Sequence, residues 1–398
     1  MNKPRIIMYK GQSQYDVVRY FVDDLAEGFR EYDYDVIIID LFKDEQALDK
    51  LLKVLQDGNV FFIFSFNGIG IDIELNNGGR LHEQITIPFF TFFVDHPIYH
   101  GARLHSHNNQ FNSHHIYSFL DDKQAGFAKQ YMLDKKTAMS LPHAASHINA
   151  IQVDSKAIID RDIDIFLPGG YGDPEEIRNS WKDWSSPLAN ILEELIEYAQ
   201  AYPQHTLPQS YEQILSSKGF HSNMFNNKSY ELLRKADTYL RRKFRHDLVI
   251  ALQGENLLVA GNGWENFSHT KGKIRIAEAM PYAEVLKTMR NSKLVVNAFS
   301  TYNQYSHERV FDAAAAGAVS MTLSSPYFEE TFVSGENALF FQDAADAEQV
   351  ASQALATPDS LQQIADNGRT LVLESHQWKH RAANILEAVF IHTNLVSV

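Results

Sequence analysis

The chain has 398 residues, enough for two or three domains at roughly 150 residues each. It is 44% hydrophobic and 22% charged, so large cores are available and a disordered chain is excluded. Lys plus Arg number 36 against 50 Asp plus Glu, a formal net charge of −14; that balance speaks against wrapping nucleic acid or lying on anionic lipid, yet leaves room for a local basic pocket. There are no cysteines, which removes disulfides, thiolate metal sites, iron–sulfur clusters and cysteine nucleophiles. No signal-peptide pattern precedes the first apolar segment, and the longest apolar stretches, near residues 60–66 and 85–94, fall short of the ~20 needed to span a bilayer. The expectation is a cytoplasmic protein.

Residues 5–9 read as a buried strand, and residues 15–30 as a helix with Val18, Val22, Leu25 and Phe29 on one face. A strand at 36–39, a helix at 45–56 and a strand at 60–64 follow, with further strands at 87–94 and 116–119. Continuous apolar strands joined by amphipathic helices imply a parallel sheet covered on both faces. A helical region comes next, with segments near 188–201 and 228–244. The second half then repeats the strand–helix logic: strand 257–260, helix 282–290, strand 294–297, helix 308–316 and strand 319–323. Helices at 346–354 and 361–374 and a last one from His380 close the chain. The basic run Arg241-Arg242-Lys243-Phe244-Arg245 is read as cations at a helix C-terminus, which complement the dipole. Two open parallel sheets in tandem place ligands at the carboxyl ends of the strands, so the loops there are the places to seek chemistry.

The most informative stretch is Asn297-Ala-Phe-Ser-Thr-Tyr-Asn-Gln-Tyr-Ser-His-Glu-Arg-Val-Phe-Asp-Ala-Ala-Ala-Ala-Gly317: a strand end, a polar loop, then a helix. Ser306 reads as the N-cap, with His307, Glu308 and Arg309 in the first turn. An arginine there opposes the macrodipole by around 0.3–1 kcal/mol, a sign that a docked anion would reverse. Glu308 and Asp312 are like charges at i, i+4, so one of them is expected to face a ligand hydroxyl. The alternative is an ordinary buried helix with exposed charges at its start. Ala313 to Ala316 make a thin helix able to sit close to a sheet, and Gly317 ends it.

Glu308-Arg-Val-Phe-Asp-Ala-Ala-Ala-Ala-Gly317 followed by Val319-Ser-Met-Thr322 resembles the "R-x-F-E-A-x-A-x-G … T" segment of GT-B glycosyltransferases, specifically the CgeB-like (spore maturation protein) group. Phe93-Val-Asp-His-Pro97 is similar to that group's "F-V-D-x-P", and Gly261-Asn-Gly-Trp264 to its "G-x-G-W". Phe328-Glu-Glu330 with Glu336-Asn337, and His376-Gln-Trp-Lys-His-Arg381, resemble its later motifs in the same order. The resemblance is strongest over residues 257–385. It implies an α/β GT-B fold of two Rossmann-like domains with parallel sheets facing a central cleft. The N-terminal, acceptor-side domain would cover residues 1–150. The nucleotide-sugar-binding domain would cover 151–380 with a helical insertion around 175–245, and a helix at 381–398 would pack back on the first domain.

The same resemblance implies a bacterial hexosyltransferase with a nucleotide-diphosphate sugar as donor, a glycan or protein acceptor, no cofactor and no essential metal. Arg309 matches the basic residue at the donor diphosphate. Asp312 stands where the group has the Glu that binds ribose, one methylene shorter in reach. Gly263 and Trp264 match a loop near the nucleotide, with core packing as the other reading of Trp264. Asn297, Ser306, His307 and Glu308 complete the expected donor contacts. Gly11, after the first strand, is a candidate for approaching a donor phosphate or simply a turn.

Asp95 and His96 follow a strand that should end at the cleft, where either could deprotonate an acceptor hydroxyl or merely anchor the loop. His100 is the next candidate. The histidines His96, His100, His105, His107, His114 and His115 raise a metal site as an option, but no H-E-x-x-H helix or matching carboxylate pattern accompanies them. Neither Gly11 nor Asn67-Gly68-Ile69-Gly70 fits a dinucleotide fingerprint or a P-loop, which disfavours hydride transfer and ATP hydrolysis. The competing readings are a nucleotide-sugar epimerase of the same fold and a non-catalytic sugar- or nucleotide-binding module.

Overall fold

The structure is a computed structural model; it describes residues 3–101, 103–104, 114–133, 137–146, 156–220, 224–268, 272–299 and 305–396. The chain divides into two units, Met1–His147 together with Ser375–Val398, and Ile148–Glu374. The changeover at Ser375, the last residue of the helix over Pro358–Ser375, falls six residues before the expected 381, and the last helix begins at Trp378.

The first unit is built on strands β1 (Arg5–Lys10), β2 (Asp35–Asp40), β3 (Val60–Phe66), β4 (Phe89–Phe92), β5 (His115–Phe119) and β6 (Thr137–Ser140). They form one parallel sheet in the order β2-β1-β3-β4-β5-β6. Helices α1 (Val17–Glu31), α2 (Ala47–Asp57), α3 (Leu81–Gln84) and α4 (Asp122–Tyr131) connect them. Side-chain alternation along β3 supplies both faces. Phe62 and Phe66 meet Phe29 and Phe21 of α1, while Ile63 joins Ile7, Ile39, Leu51 and Phe89 on the opposite face. Each such side chain, fully buried, contributes roughly 1.5–3 kcal/mol.

The second unit carries β7 (Ile163–Pro168), β8 (Leu257–Ala260), β9 (Arg275–Ala277), β10 (Ser292–Asn297), β11 (Val319–Leu323) and β12 (Leu339–Phe341), again parallel, in the order β12-β11-β10-β7-β8-β9. Its helices are α5 (Pro174–Asn179), α6 (Ser186–Ala201), α7 (Leu207–Ser217), α8 (Asn227–Leu252), α9 (Tyr282–Arg290), α10 (Glu308–Ala315), α11 (Pro326–Thr331), α12 (Ala344–Leu355) and α13 (Pro358–Ser375).

The last helix, α14 (Trp378–Val396), belongs to the first unit and packs along α1. Trp378 is buried against Phe21 and Phe66, with ring centroids 4.8 and 5.4 Å apart. Gly28 makes the approach possible: a Cβ there would lie 2.7 Å from the Lys379 Cα. Arg381 ties the start of α14 to the chain after β6 by donating to the carbonyls of Pro142 (3.0 Å) and His143 (2.9 Å).

β7, in the middle of the second sheet, is missing from the sequence reading because Asp164 interrupts its apolar run. Asp164 pairs with Lys293 of the neighbouring β10 at 2.7 Å, so the charge is accommodated inside the sheet. β6, β9 and β12 are only three or four residues long and carry too little pattern to be read. The basic run 241–245 does not end a helix: α8 continues to Leu252, which places those cations well inside it.

Candidate functional site

In both sheets neighbouring strands lead outward in opposite directions from one point, between β1 and β3 in the first and between β7 and β10 in the second. The carboxyl ends of strands at such a point form the usual ligand crevice of open α/β sheets. In the second unit the loops there are drawn together by glycine. Tyr171 N donates to Asn262 O (2.8 Å) and Gly169 N to Ala260 O (2.8 Å), zipping the loop after β7 to the loop after β8. Gly261 and Gly263 both have positive φ, and a Cβ on Gly263 would lie 2.3 Å from Tyr171 O, so no other residue fits.

Trp264 is core rather than nucleotide contact. It is 1% exposed, stacks on Tyr171 with centroids 5.1 Å apart, and donates its indole N–H to Gly169 O at 2.8 Å. Its work is to hold the Gly169-Gly170 loop from beneath.

At the end of β10, Asn297 is buried; its Nδ2 donates to Thr322 Oγ1 at the end of β11 (3.1 Å), and its Oδ1 accepts from Arg309 Nη1 (3.0 Å). The amide thus aims the guanidinium from α10. The N-cap of α10 is His307, not Ser306: its Nδ1 accepts from Arg309 N at 3.3 Å, leaving Glu308 and Arg309 in the first turn and Ser306 buried before it. The same Nδ1 lies 3.0 Å from Glu308 Oε2.

Asp312 also departs from expectation. It is 1% exposed and accepts a hydrogen bond from Tyr282 Oη at 2.5 Å, locking α9 to α10. Of the like-charged pair, Glu308 is the one left partly accessible.

A candidate residue that the sequence reading passes over is Arg245. Within the basic run, Arg241 pairs with Asp237 (3.0 Å), Arg242 with Glu176 (3.1 Å) and Lys243 with Asp247 (2.8 Å). Among the described residues Arg245 has no carboxylate partner; it donates to Gly170 O, and its Nε is buried without an acceptor. Arg309 likewise has no ion-pair partner among the described residues. Burial lowers the pKa of both arginines; the charges of Arg309, Arg241 and Arg242 help push Arg245 down to about 9, while those of Glu308 and Asp312 oppose the fall at Arg309. Two guanidiniums, one from α8 and one from α10, therefore stand at the β7/β10 point; neither forms an ion pair among the described residues, although the charges of Glu308 and Asp312 act on Arg309. A diphosphate satisfies such a pair through charge-assisted, bidentate hydrogen bonds. No sequence signal singles out Arg245: Arg242 equally has no acid at i±4, and finds its partner Glu176 only through the fold.

In the first unit Gly11 is a close-packed turn: its carbonyl accepts from Arg19 Nη1 (2.9 Å), and a Cβ would meet Ile69 Cγ2 at 2.9 Å. After β4, Asn67 holds the chain by accepting from Val94 N (2.9 Å) and donating to Asp95 Oδ2 (3.1 Å). The Asp95 side chain remains 58% exposed, with His100 Nε2 4.0 Å away. His100 is pushed down to about 3, chiefly by burial and then by Arg103 and His96, so it is neutral.

His96 accepts from Ile98 N at Nδ1 (3.2 Å). A neutral imidazole accepting at Nδ1 carries its proton on Nε2 and has no lone pair left for a substrate proton, which assigns His96 to the loop and leaves Asp95 as the accessible base candidate. His105 and His107 lie outside the described residues; among those described, no three His, Asp or Glu side chains converge on a metal-sized position. No described helix is long and apolar enough to cross a membrane.

A family model described as "Glycosyl transferase-like" matches residues 234–387. Curated protein sequences give no match. Among solved structures, the chain is similar to sucrose-phosphate synthase from Thermosynechococcus elongatus (10% identity, 100% of each chain covered, TM-score 0.58). It is also similar to an alpha-glucosyltransferase in complex with UDP and a 13-mer DNA (12%, 98% and 99% covered, 0.55) and to HepE of Anabaena in complex with UDP and glucose (10%, 97% and 99%, 0.52). The chain therefore has the two-sheet α/β architecture of the GT-B glycosyltransferases, and its residues 234–387 match a glycosyl transferase-like domain.

Proposed function

We propose that the protein is a metal-independent glycosyltransferase of hexosyl type, close to the CgeB-like group, which moves a sugar from a nucleotide-diphosphate donor to a hydroxyl of a glycan or protein. The observation that carries this reading is the presence of Arg245 and Arg309 at the β7/β10 point, neither of them in an ion pair among the described residues. As the glycosidic bond breaks, negative charge gathers on the leaving diphosphate. Fixed cations stabilise that charge more in the transition state than in the ground state, the role a divalent ion would otherwise fill. Glu308 is assigned to a donor hydroxyl, and Asp95 to the acceptor proton. The structural relatives with bound UDP support a uridine nucleotide as the first donor to try, and the charge of −14 favours a glycan or protein acceptor over DNA.

Arg309→Ala tests the reading. Nucleoside-diphosphate affinity should fall by around 1.5–3 kcal/mol, the range for a hydrogen bond to a charged group, with the melting temperature nearly unchanged. A variant that melts early yet binds normally would make Arg309 structural. Incubation with donor and no acceptor separates transfer from epimerisation, since only an epimerase alters the sugar.

A further inference from the structure

The helical insertion holds a feature that donor binding does not use. A cavity of about 280 Å³ lies between the start of α6 (Trp184, Ser185, Leu188) and the start of α8 (Lys228, Glu231, Leu232). Three of the four tryptophans, Trp181, Trp264 and Trp378, are at most 2% exposed, whereas Trp184 is only half-buried. Its ring is nonetheless fixed. Lys235 Nζ stands over it, 5.2 Å from the centroid, and is itself pinned by donating to Ser180 Oγ at 2.9 Å. Lys235 does not line the cavity, so it holds the indole from outside.

Among the described residues the indole N–H of Trp184 has no acceptor, Lys228 has no carboxylate and Glu231 has no cation. Lys228 and Glu231 are three apart on one helix, a spacing that permits an ion pair, and yet they form none. The lining thus offers a rigid aromatic plate, an apolar floor from Leu188 and Leu232, and donors and an acceptor whose formal charges cancel. That combination suits a neutral ring with an apolar C–H face and hydroxyls at its edge. It does not suit a phosphate, which Glu231 would repel. The volume sits just below the ~300–1,000 Å³ of drug-sized pockets, which fits one ring rather than a chain.

We propose that this cavity is a carbohydrate subsite seating one pyranose ring of the acceptor glycan on Trp184, an inference that rests on the glycosyltransferase reading. Lys228 and Arg245 are 17 residues apart on α8, about 25 Å along its axis, so the subsite is distinct from the diphosphate pocket and grips a remote part of a long acceptor. Its contribution is to acceptor affinity and not to the chemical step.

The test is a tryptophan-fluorescence titration of the full chain with neutral gluco-, manno- and galacto-configured hexasaccharides, beside calorimetry with UDP. With three tryptophans buried, Trp184 is the one a soluble sugar can reach. The expected result is a saturable change with at least one hexasaccharide. Trp184→Ala and, separately, Glu231→Ala should each weaken binding about tenfold or more by calorimetry, the effect of truncating an anchoring residue, with UDP affinity unchanged. Glu231 is exposed and unpartnered, so its removal leaves the fold intact even if Trp184→Ala does not. No saturable binding by any hexasaccharide, or binding indifferent to both substitutions, overturns the subsite. Loss of UDP binding by the unaltered protein would instead overturn the underlying reading, and the two failures are read by different ligands.

Discussion

Each unit places an arginine in the first turn of a helix beside its strand-end crevice, and the two arginines have opposite surroundings. Arg19 of α1 is closed in. It donates to both oxygens of Asp40 (3.1 and 2.5 Å) and to Gly11 O, with Asp16 3.5 Å away. The Asp40 bond raises the Arg19 pKa, while the guanidinium holds the Asp40 carboxyl down at about 2. Arg309 of α10 has an amide for a hydrogen-bond partner and no ion pair among the described residues, and burial lowers its pKa against the opposing charges of Glu308 and Asp312. A guanidinium already matched to a carboxylate stabilises a loop and has nothing left for a ligand. An unmatched one keeps its hydrogen-bonding capacity for an anion. The contrast supports the proposal of an anion site in the second crevice, while Asp95 stands exposed in the first.

The largest effect that would break this comparison is in the first unit. Asp95→Asn keeps shape and removes charge; a general base contributes about 10²–10⁴-fold, so kcat should fall by that factor with donor affinity unchanged. A far smaller loss on a folded, donor-bound protein would remove Asp95 as the base. Next comes Arg19→Ala, which leaves Asp40 partly buried without its partner. We expect destabilisation by roughly 2–4 kcal/mol in chemical denaturation and no change in UDP affinity per folded molecule. Equal losses in both would mean that the first-unit arginine also serves the donor.

Overpacking gives a smaller effect. Gly28→Ala would ordinarily help a helix, but here the methyl meets the Lys379 backbone, so a cost of about 1–3 kcal/mol is expected, and a gain would show that α14 shifts freely on α1. Smallest is the acid response of Arg19–Asp40. Asp40's folded pKa lies below its unfolded value of 3.8, so its contribution is complete above about pH 4 and disappears as pH falls toward 2. Asp40→Asn should flatten stability in that window alone.

The strong apolar runs and helical periodicities made the two parallel sheets legible, and the Asn297–Gly317 segment located the second-unit crevice. What stayed hidden depended on partners distant in sequence. Asp164 hid β7 because its Lys293 lies 129 residues away. Arg245 reads as a helix-end cation, although α8 runs eight residues past Phe244. Trp264 and Asp312 matched motif positions, yet Gly169 O and Tyr282 claim their polar atoms. His307 displaced Ser306 as cap because an imidazole nitrogen accepts an N–H as a hydroxyl does. A motif gives a residue's position along the chain, and which of its atoms remain available is decided by packing.

The central claim is that Arg245 and Arg309 together hold a diphosphate. Titration calorimetry with UDP and with uridine, on the unaltered protein and on Arg245→Ala, Arg309→Ala and the double variant, tests it most directly. The account predicts that each single substitution weakens UDP about tenfold or more, that the double variant loses less than the sum because the two share one ligand, and that uridine binding hardly changes. Equal losses for UDP and uridine, or UDP affinity untouched by either substitution, would contradict it.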